Sequence, residues 1–155
     1  MSHVTSVDLK IKELDTLEET LAERFPRLEL RRNKTHFNWY NRWMNDYHGP
    51  LAAVSNGYDP ATFGQAEHTI GIKGDSKSYE IGLVKSKSGE GWDLLYDTYD
   101  GKIEPIAGKE LSTLKREYAA TCATKRARAT LGKRGFTIAR EDLIGGGIRL
   151  RLRKR

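Results

Sequence analysis

The pattern with the most chemical content lies at the C-terminus, where Arg149, Arg151, Arg153 and Arg155 alternate with Leu150, Leu152 and Lys154. In an extended strand every second side chain faces the same way at intervals of roughly 6.6–7 Å, near the spacing of successive phosphates, and each guanidinium can fork two oxygens. Lys125, Arg126, Arg128, Lys133 and Arg134 lie shortly upstream and extend the charge. Together they predict a surface for an acidic partner, nucleic acid or protein. A strand with one wet face, whose charges discourage edge pairing, would account for the same arginines with no partner at all.

Three other groups could do chemistry. Trp39, Arg42 and Trp43 would suit base stacking or a subunit interface, although aromatics at such density more often form core. Asp93, Asp97 and Asp100 with Glu80 make a carboxylate cluster, but on a strand Asp93 and Asp97 would stand nearly 14 Å apart, too far for one metal ion without a bend (~3.4 Å per residue). His68 with Glu80 and Asp97 is the best set on offer for a base and its carboxylates, which makes an enzyme of unknown reaction the alternative reading. His3, His36, His48 and His68 show no metal-ligand spacing, and the chain has no Walker loop, GxGxxG or GxSxG. The sequence therefore predicts neither a metal nor a cofactor.

Composition narrows the classes. The chain has 155 residues, with 27 Lys and Arg against 21 Asp and Glu, a balance of +6. The excess is local: residues 110–155 carry 13 against 4, or +9, and residues 1–109 carry 14 against 17, or −3. The one cysteine, Cys122, can staple nothing within the chain and forms no zinc motif. No stretch approaches the ~18 apolar residues of a membrane span and the polar start lacks a signal-peptide core, so a cytoplasmic protein is expected.

Elements must position these residues. Val7, Leu9 and Ile11 share one parity, as in a half-buried strand. Leu17, Leu21 and Phe25 recur at helical spacing behind Asp15 and Glu18, a plausible capping pair, and predict a helix over 16–25, with a short strand at 28–32. Residues 36–48 put Phe37, Trp39, Tyr40, Trp43, Met44 and Tyr47 on one side of a helical wheel, while their aromatic content equally suits a strand. Residues 51–64 read as an irregular excursion. Strands are expected at 68–73, 78–85 and 91–98 in a meander, then a linker over 101–108. Leu111, Leu114, Tyr118, Cys122 and Ala129 share a narrow arc of a long helix that Gly135 would end.

The last unit is a hairpin. Apolar sides coincide across it only if paired residue numbers sum to an even value, which demands an odd loop with a residue at positive φ. A three-residue loop at 144–146 would pair Ile138 with Leu152 and set Glu141 opposite Arg149. The fold class is then α+β, helices packed on one face of a largely antiparallel sheet. Its order is β-α-β, an aromatic and loop insertion at about 36–66, β-β-β, α and β-β, in a single domain over 1–155.

The start Met1-Ser2-His3, the run from Trp39 to Asp46, the stretch from Gly64 to Ile72, the motif Tyr79-Glu80-Ile81-Gly82-Leu83-Val84, the segment from Trp92 to Asp97, Leu114 through Tyr118 and the glycine-rich hairpin together resemble domain-of-unknown-function family 1257. The family includes the plastid and cyanobacterial hypothetical frame-35 proteins, and the likeness, over nearly the whole chain, is to its longer bacterial and phage branch. Gln65 stands where cysteine is expected in many relatives of that branch. The resemblance implies a small intracellular domain with no established activity, and an accessory role in an assembly containing an AAA-type ATPase. The leading expectation is a non-enzymatic binding or adaptor protein with a basic C-terminal patch; an obligate oligomer subunit is a further alternative.

Overall fold

The computed structural model describes residues 4–39, 64–98 and 101–154. It is an α+β fold whose contacts divide into two compact units, Met1–Thr113 and Leu114–Arg155. In the first, strands β1 (Val4–Ile11), β2 (Leu28–Arg31), β3 (His68–Ile72), β4 (Ile81–Lys85) and β5 (Trp92–Asp97) form one antiparallel sheet in the order β1-β5-β4-β3-β2. β3, β4 and β5 make the expected meander, short turns joining neighbours. β1 and β2 sit on opposite edges and run the same way, so the chain between them must cross a face of the sheet. Helix α1 (Leu14–Arg24) makes that crossing, with Leu17 and Leu21 buried.

Strand alternation sorts the side chains onto two faces, and the register carries that sorting from strand to strand. One face bears Ile70, Ile81, Leu83, Leu94 and Tyr96, all but excluded from water. β1 shifts register between Val7 and Lys10, from Val7 opposite Leu94 to Lys10 opposite Asp93. Two residues are thereby inserted against the partner strand, an even number, so Ile11 keeps the parity of Val7 and is itself fully buried. The other face bears Thr69, Gly82, Leu95 and Asp97, and is covered by Phe37 and Trp39, which pack with Ala66 and Leu95.

Several sequence expectations change in detail. α1 starts at Leu14 behind Glu13 with no side-chain cap; Asp15 and Glu18 turn instead to Arg32, at 2.8 and 3.6 Å, because a guanidinium within reach is a stronger partner than a backbone amide. β4 begins only at Ile81, since Asp75 accepts the amides of Lys77 and Ser78 and the Ser78 hydroxyl, which holds 75–78 as a turn. The expected linker contains a helical turn, α2 (Glu104–Ala107), with Ile103 and Ala107 buried. Of residues 36–48, only 36–38 and Trp39 fall within the described residues, so whether the aromatic run is helix or strand lies outside them, as does the excursion at 51–63.

The second unit holds most of helix α3 (Ser112–Leu131), a 3₁₀ turn at Gly132–Arg134, and strands β6 (Phe136–Asp142) and β7 (Ile148–Lys154). Gly135 ends the helical run in the left-handed conformation at φ 83°, as expected. Leu114, Tyr118 and Cys122 are buried, but the buried arc does not continue to the helix end.

 Ala129, on that same arc, is exposed. β6 and β7 pair in the expected register, Ile138 opposite Leu152 and Glu141 opposite Arg149. The loop closes through the Leu143 amide on the Gly147 carbonyl at 2.8 Å, with Gly145 and Gly146 at φ 92° and 93°. Only glycine adopts these angles without strain.

Gly82 tests the covered face. A β-carbon there would stand 2.5 Å from Phe37 Cδ1, far inside contact distance. Gly82→Ala is expected to destabilise the protein by about 1–3 kcal/mol in urea unfolding, and by clearly less when Phe37 is already Leu. Equal costs in the two backgrounds would refute the packing of Phe37 on this face.

Candidate functional site

Two constellations drew attention in the sequence, and the structure treats them differently. In the first unit, Glu80 and Asp97 lie on one sheet face and His68 on the other. Thr69, next to His68 in β3, donates its hydroxyl to Glu80 at 2.7 Å, and consecutive strand residues point to opposite sides. Asp97 shares parity with Leu95 on the Glu80 face, and extending the Gly82–Leu95 register by two residues sets it across from Glu80. Two members of the expected trio therefore share a face and the third does not. The three share no cleft: a hollow of 410 Å³ beside Glu80 is lined by Glu29, Arg31, His36, Asn38 and Asp75 among others, but by neither His68 nor Asp97.

Glu80 is bound into a network that sequence reasoning did not find. Its Oε2 accepts Arg31 at 3.0 Å as well as Thr69, and its Oε1 accepts the Asn38 amide at 2.9 Å. The Glu80 amide donates in turn to the Asn38 carbonyl. Arg31 also donates to Glu29 and to the carbonyls of Ile72 and Asp75, while the Asn38 side chain donates to those of Ser76 and Ser78. With three donors on its oxygens and 2% of its side chain exposed, Glu80 has little room to act as a base on a substrate. Its evident work is structural. The available signal was a glycine inside each of two adjacent strands, Gly71 and Gly82, which marks close approach by another group. A β-carbon at Gly71 would collide with the Arg31 guanidinium.

His68 is likewise occupied. Its Nδ1 accepts the Asn33 amide at 3.1 Å, which places the proton of the neutral ring on Nε2, and the ring meets Trp92 edge-on at 5.2 Å. Burial lowers its pKa below the usual 6.5; the Glu67 charge opposes the shift and the Arg32 charge adds to it. Trp39 is buried at 3% exposure, stacked near Phe37 and packed with Ala66 and Leu95. Arg42 and Trp43 lie outside the described residues.

In the second unit the register places Arg149, Arg151 and Arg153 on one face of the hairpin with Thr137, Ala139 and Glu141. All three arginines are exposed. Glu141 Oε2 is 3.1 Å from Arg151 and 3.6 Å from Arg149, and it is the only carboxylate on that face among the described residues. Three guanidiniums against one carboxylate leave 3 − 1 = +2. Phe136, Ile138, Arg140, Ile148, Leu150 and Leu152 point the other way. There Arg140 forks Glu117 of α3 at 2.6 and 2.8 Å and also reaches Asp142. Those partners hold the Arg140 pKa above its usual value, the hydrogen bond to Glu117 contributing most. The fork joins hairpin to helix.

Of the helix-borne basic residues, Arg128 and Lys133 line a 510 Å³ hollow with Phe136, Thr137 and Ile138, at the end of the hairpin where Thr137 faces Arg153. Arg126 and Arg134 are exposed, Lys125 is half-buried, and Arg155 lies outside the described residues.

Two outcomes follow for the first unit. Glu80→Ala, which takes one of its two carboxylates from Arg31 and the acceptor from Thr69 and the Asn38 amide, is expected to cost about 3–5 kcal/mol in urea unfolding, and Glu80→Gln less. A cost under about 1 kcal/mol for the alanine variant would show that the network contributes little. For His68 the folded pKa lies below the unfolded 6.5, so the unfolded chain binds the extra proton first. Its contribution is complete above pH 6.5 and is lost as pH falls through the folded value. His68→Gln should accordingly lose less stability than the native chain between pH 7.5 and pH 5, read as urea midpoints; an unchanged loss would refute the assignment.

No protein-family model, no curated protein and no solved structure matches the chain.

Proposed function

We propose that the protein is a non-enzymatic binding or adaptor protein that grips an acidic partner, nucleic acid foremost, through the arginine face of the β6–β7 hairpin. The observation that carries the reading is the hairpin register, which lines up Arg149, Arg151 and Arg153 on one exposed face. Adjacent guanidiniums along a strand repeat at about 6.6–7 Å, a ladder that suits successive phosphates. Arg128 and Lys133, at the Thr137 end, lengthen the track. Glu141 is a weak counterweight, since pairs this exposed contribute about 0–1 kcal/mol and are screened by salt. The occupied oxygens of Glu80 and the opposite facing of His68 count against the alternative of an acid–base enzyme. The resemblance to family 1257 belongs to the same proposal: an intracellular accessory protein of an ATPase-containing assembly, of bacterial or phage kind.

Fluorescence anisotropy with labelled single- and double-stranded oligonucleotides tests it. Affinity is expected to fall steeply with salt, and each of Arg149→Gln, Arg151→Gln and Arg153→Gln should weaken binding and lower the salt slope by about 1. Glu141→Gln should act in the opposite sense and tighten binding at low salt. Binding indifferent to the triple glutamine change would sink the proposal.

A further inference from the structure

The apex of the same hairpin carries a feature that phosphate binding does not use. Ile144 is fully exposed at 108%, and Leu143 beside it is 38% exposed. Gly145, Gly146 and Gly147 have no side chains, so Ile144 is the one large group at the apex of a slender loop. Leu143 lies back along the loop, its Cδ1 3.5 Å from where a Gly147 β-carbon would be. Basic groups flank the apex. Arg149 begins the arginine row one residue past the start of β7, and the Arg116 guanidinium stands 3.1 Å from a β-carbon built on Gly146.

We infer that Ile144 is a wedge that enters between stacked base pairs of duplex DNA while the arginine row follows the adjoining phosphates. This rests on the reading of the hairpin as a nucleic-acid grip. Apolar side chains used this way, isoleucine among them, unstack one step and kink the duplex, and unstacking costs a few kcal/mol that wider backbone contact offsets. The three glycines add no side-chain width to the apex beside Ile144. Arg116 and Arg149 stand where the phosphates flanking the opened step would pass.

The direction of the row distinguishes a duplex from a flat lipid surface, which also accepts apolar tips bordered by arginine. Arg149, Arg151 and Arg153 run away from the apex along the ribbon axis. A planar surface touched by Ile144 would leave Arg153 about 13 Å behind Arg149, beyond the ~8 Å screening length of physiological salt. A linear polyanion bent around the ribbon can meet all three.

The test uses the full-length chain and a 5′-dye-labelled duplex of about 20 base pairs at low salt, reading affinity by anisotropy and end-to-end distance by energy transfer. Ile144 packs on nothing, so Ile144→Ala should leave the unfolding midpoint unchanged. It is expected to abolish the shortening of the end-to-end distance and to weaken duplex binding roughly tenfold. On single-stranded DNA it should change affinity little. Bending and affinity equal to the native chain would overturn the wedge while leaving the grip intact. Loss of duplex binding in the triple arginine-to-glutamine variant supports the grip, and native affinity in that variant would bring down grip and wedge together. Should vesicles of phosphatidylserine and phosphatidylcholine bind the native chain in an Ile144-dependent way while the duplex does not, the apex is a lipid contact and the inference is wrong.

Discussion

The buried pairing of Glu80 with Arg31 constrains the first unit more than any other interaction. A carboxylate withdrawn from water at 2% exposure costs several kcal/mol unless donors surround it. Here the donors come from β2, β3 and the segment that follows β2: Arg31, Thr69 and the Asn38 amide. The guanidinium must cross β3 to reach Glu80, so position 71 carries no side chain. The Asn38 backbone must lie against Glu80 in both directions, which brings Phe37 down over Gly82 and Trp39 over Gly64. One ion pair thus dictates two strand glycines and the placement of the aromatic cover. It also leaves Glu80, one of the buried carboxylates of that face, little room to act on a substrate.

The arginines divide by the company they keep. Arg31 and Arg140 each meet two carboxylates, at 18% and 21% exposure, and their forks tie elements together. Arg149 and Arg151 share a single glutamate, and each is about half exposed. A guanidinium with one exposed partner keeps most of its capacity for an incoming anion, because the pair it gives up was worth little. The +9 of residues 110–155 therefore overstates and misplaces the useful charge: part of it is internal mortar at Arg140, and the part that faces water is concentrated on β7 and the end of α3.

Legibility in the sequence followed the same physics. The hairpin register was readable to the residue because strand parity is strict and the sum rule leaves only odd loops for coincident apolar sides. The meander and Gly135 were readable for similar local reasons. What was not readable depended on partners distant in the chain. Asp15 and Glu18 look like a cap until Arg32 is folded against them. Glu80 looks like a candidate base until Arg31, 49 residues earlier, is brought beside it. His68 and Glu80 each suit catalysis by type, yet facing is decided by whether the residues between them form one strand or a strand, a turn and another strand. The local mark of these distant partners is the pair of glycines interrupting β3 and β4.

Folding requirements also separate what the hairpin needs from what it carries in addition. An odd loop requires left-handed residues, and Gly145 and Gly146 provide them. Gly147 is not at positive φ, and a β-carbon there would meet Leu143 at ordinary contact distance, so the turn does not demand glycine at that position. Nor does it demand isoleucine at 144, where a large apolar side chain is held wholly in water and any polar residue would serve the loop as well. Two features beyond the needs of the turn, one removing bulk and one exposing an apolar group, meet at the end of an arginine ladder. Slenderness and an unburied isoleucine both work against solubility or order in the free chain, and both become favourable once the apex is enclosed by something that has an apolar interior and a negatively charged border.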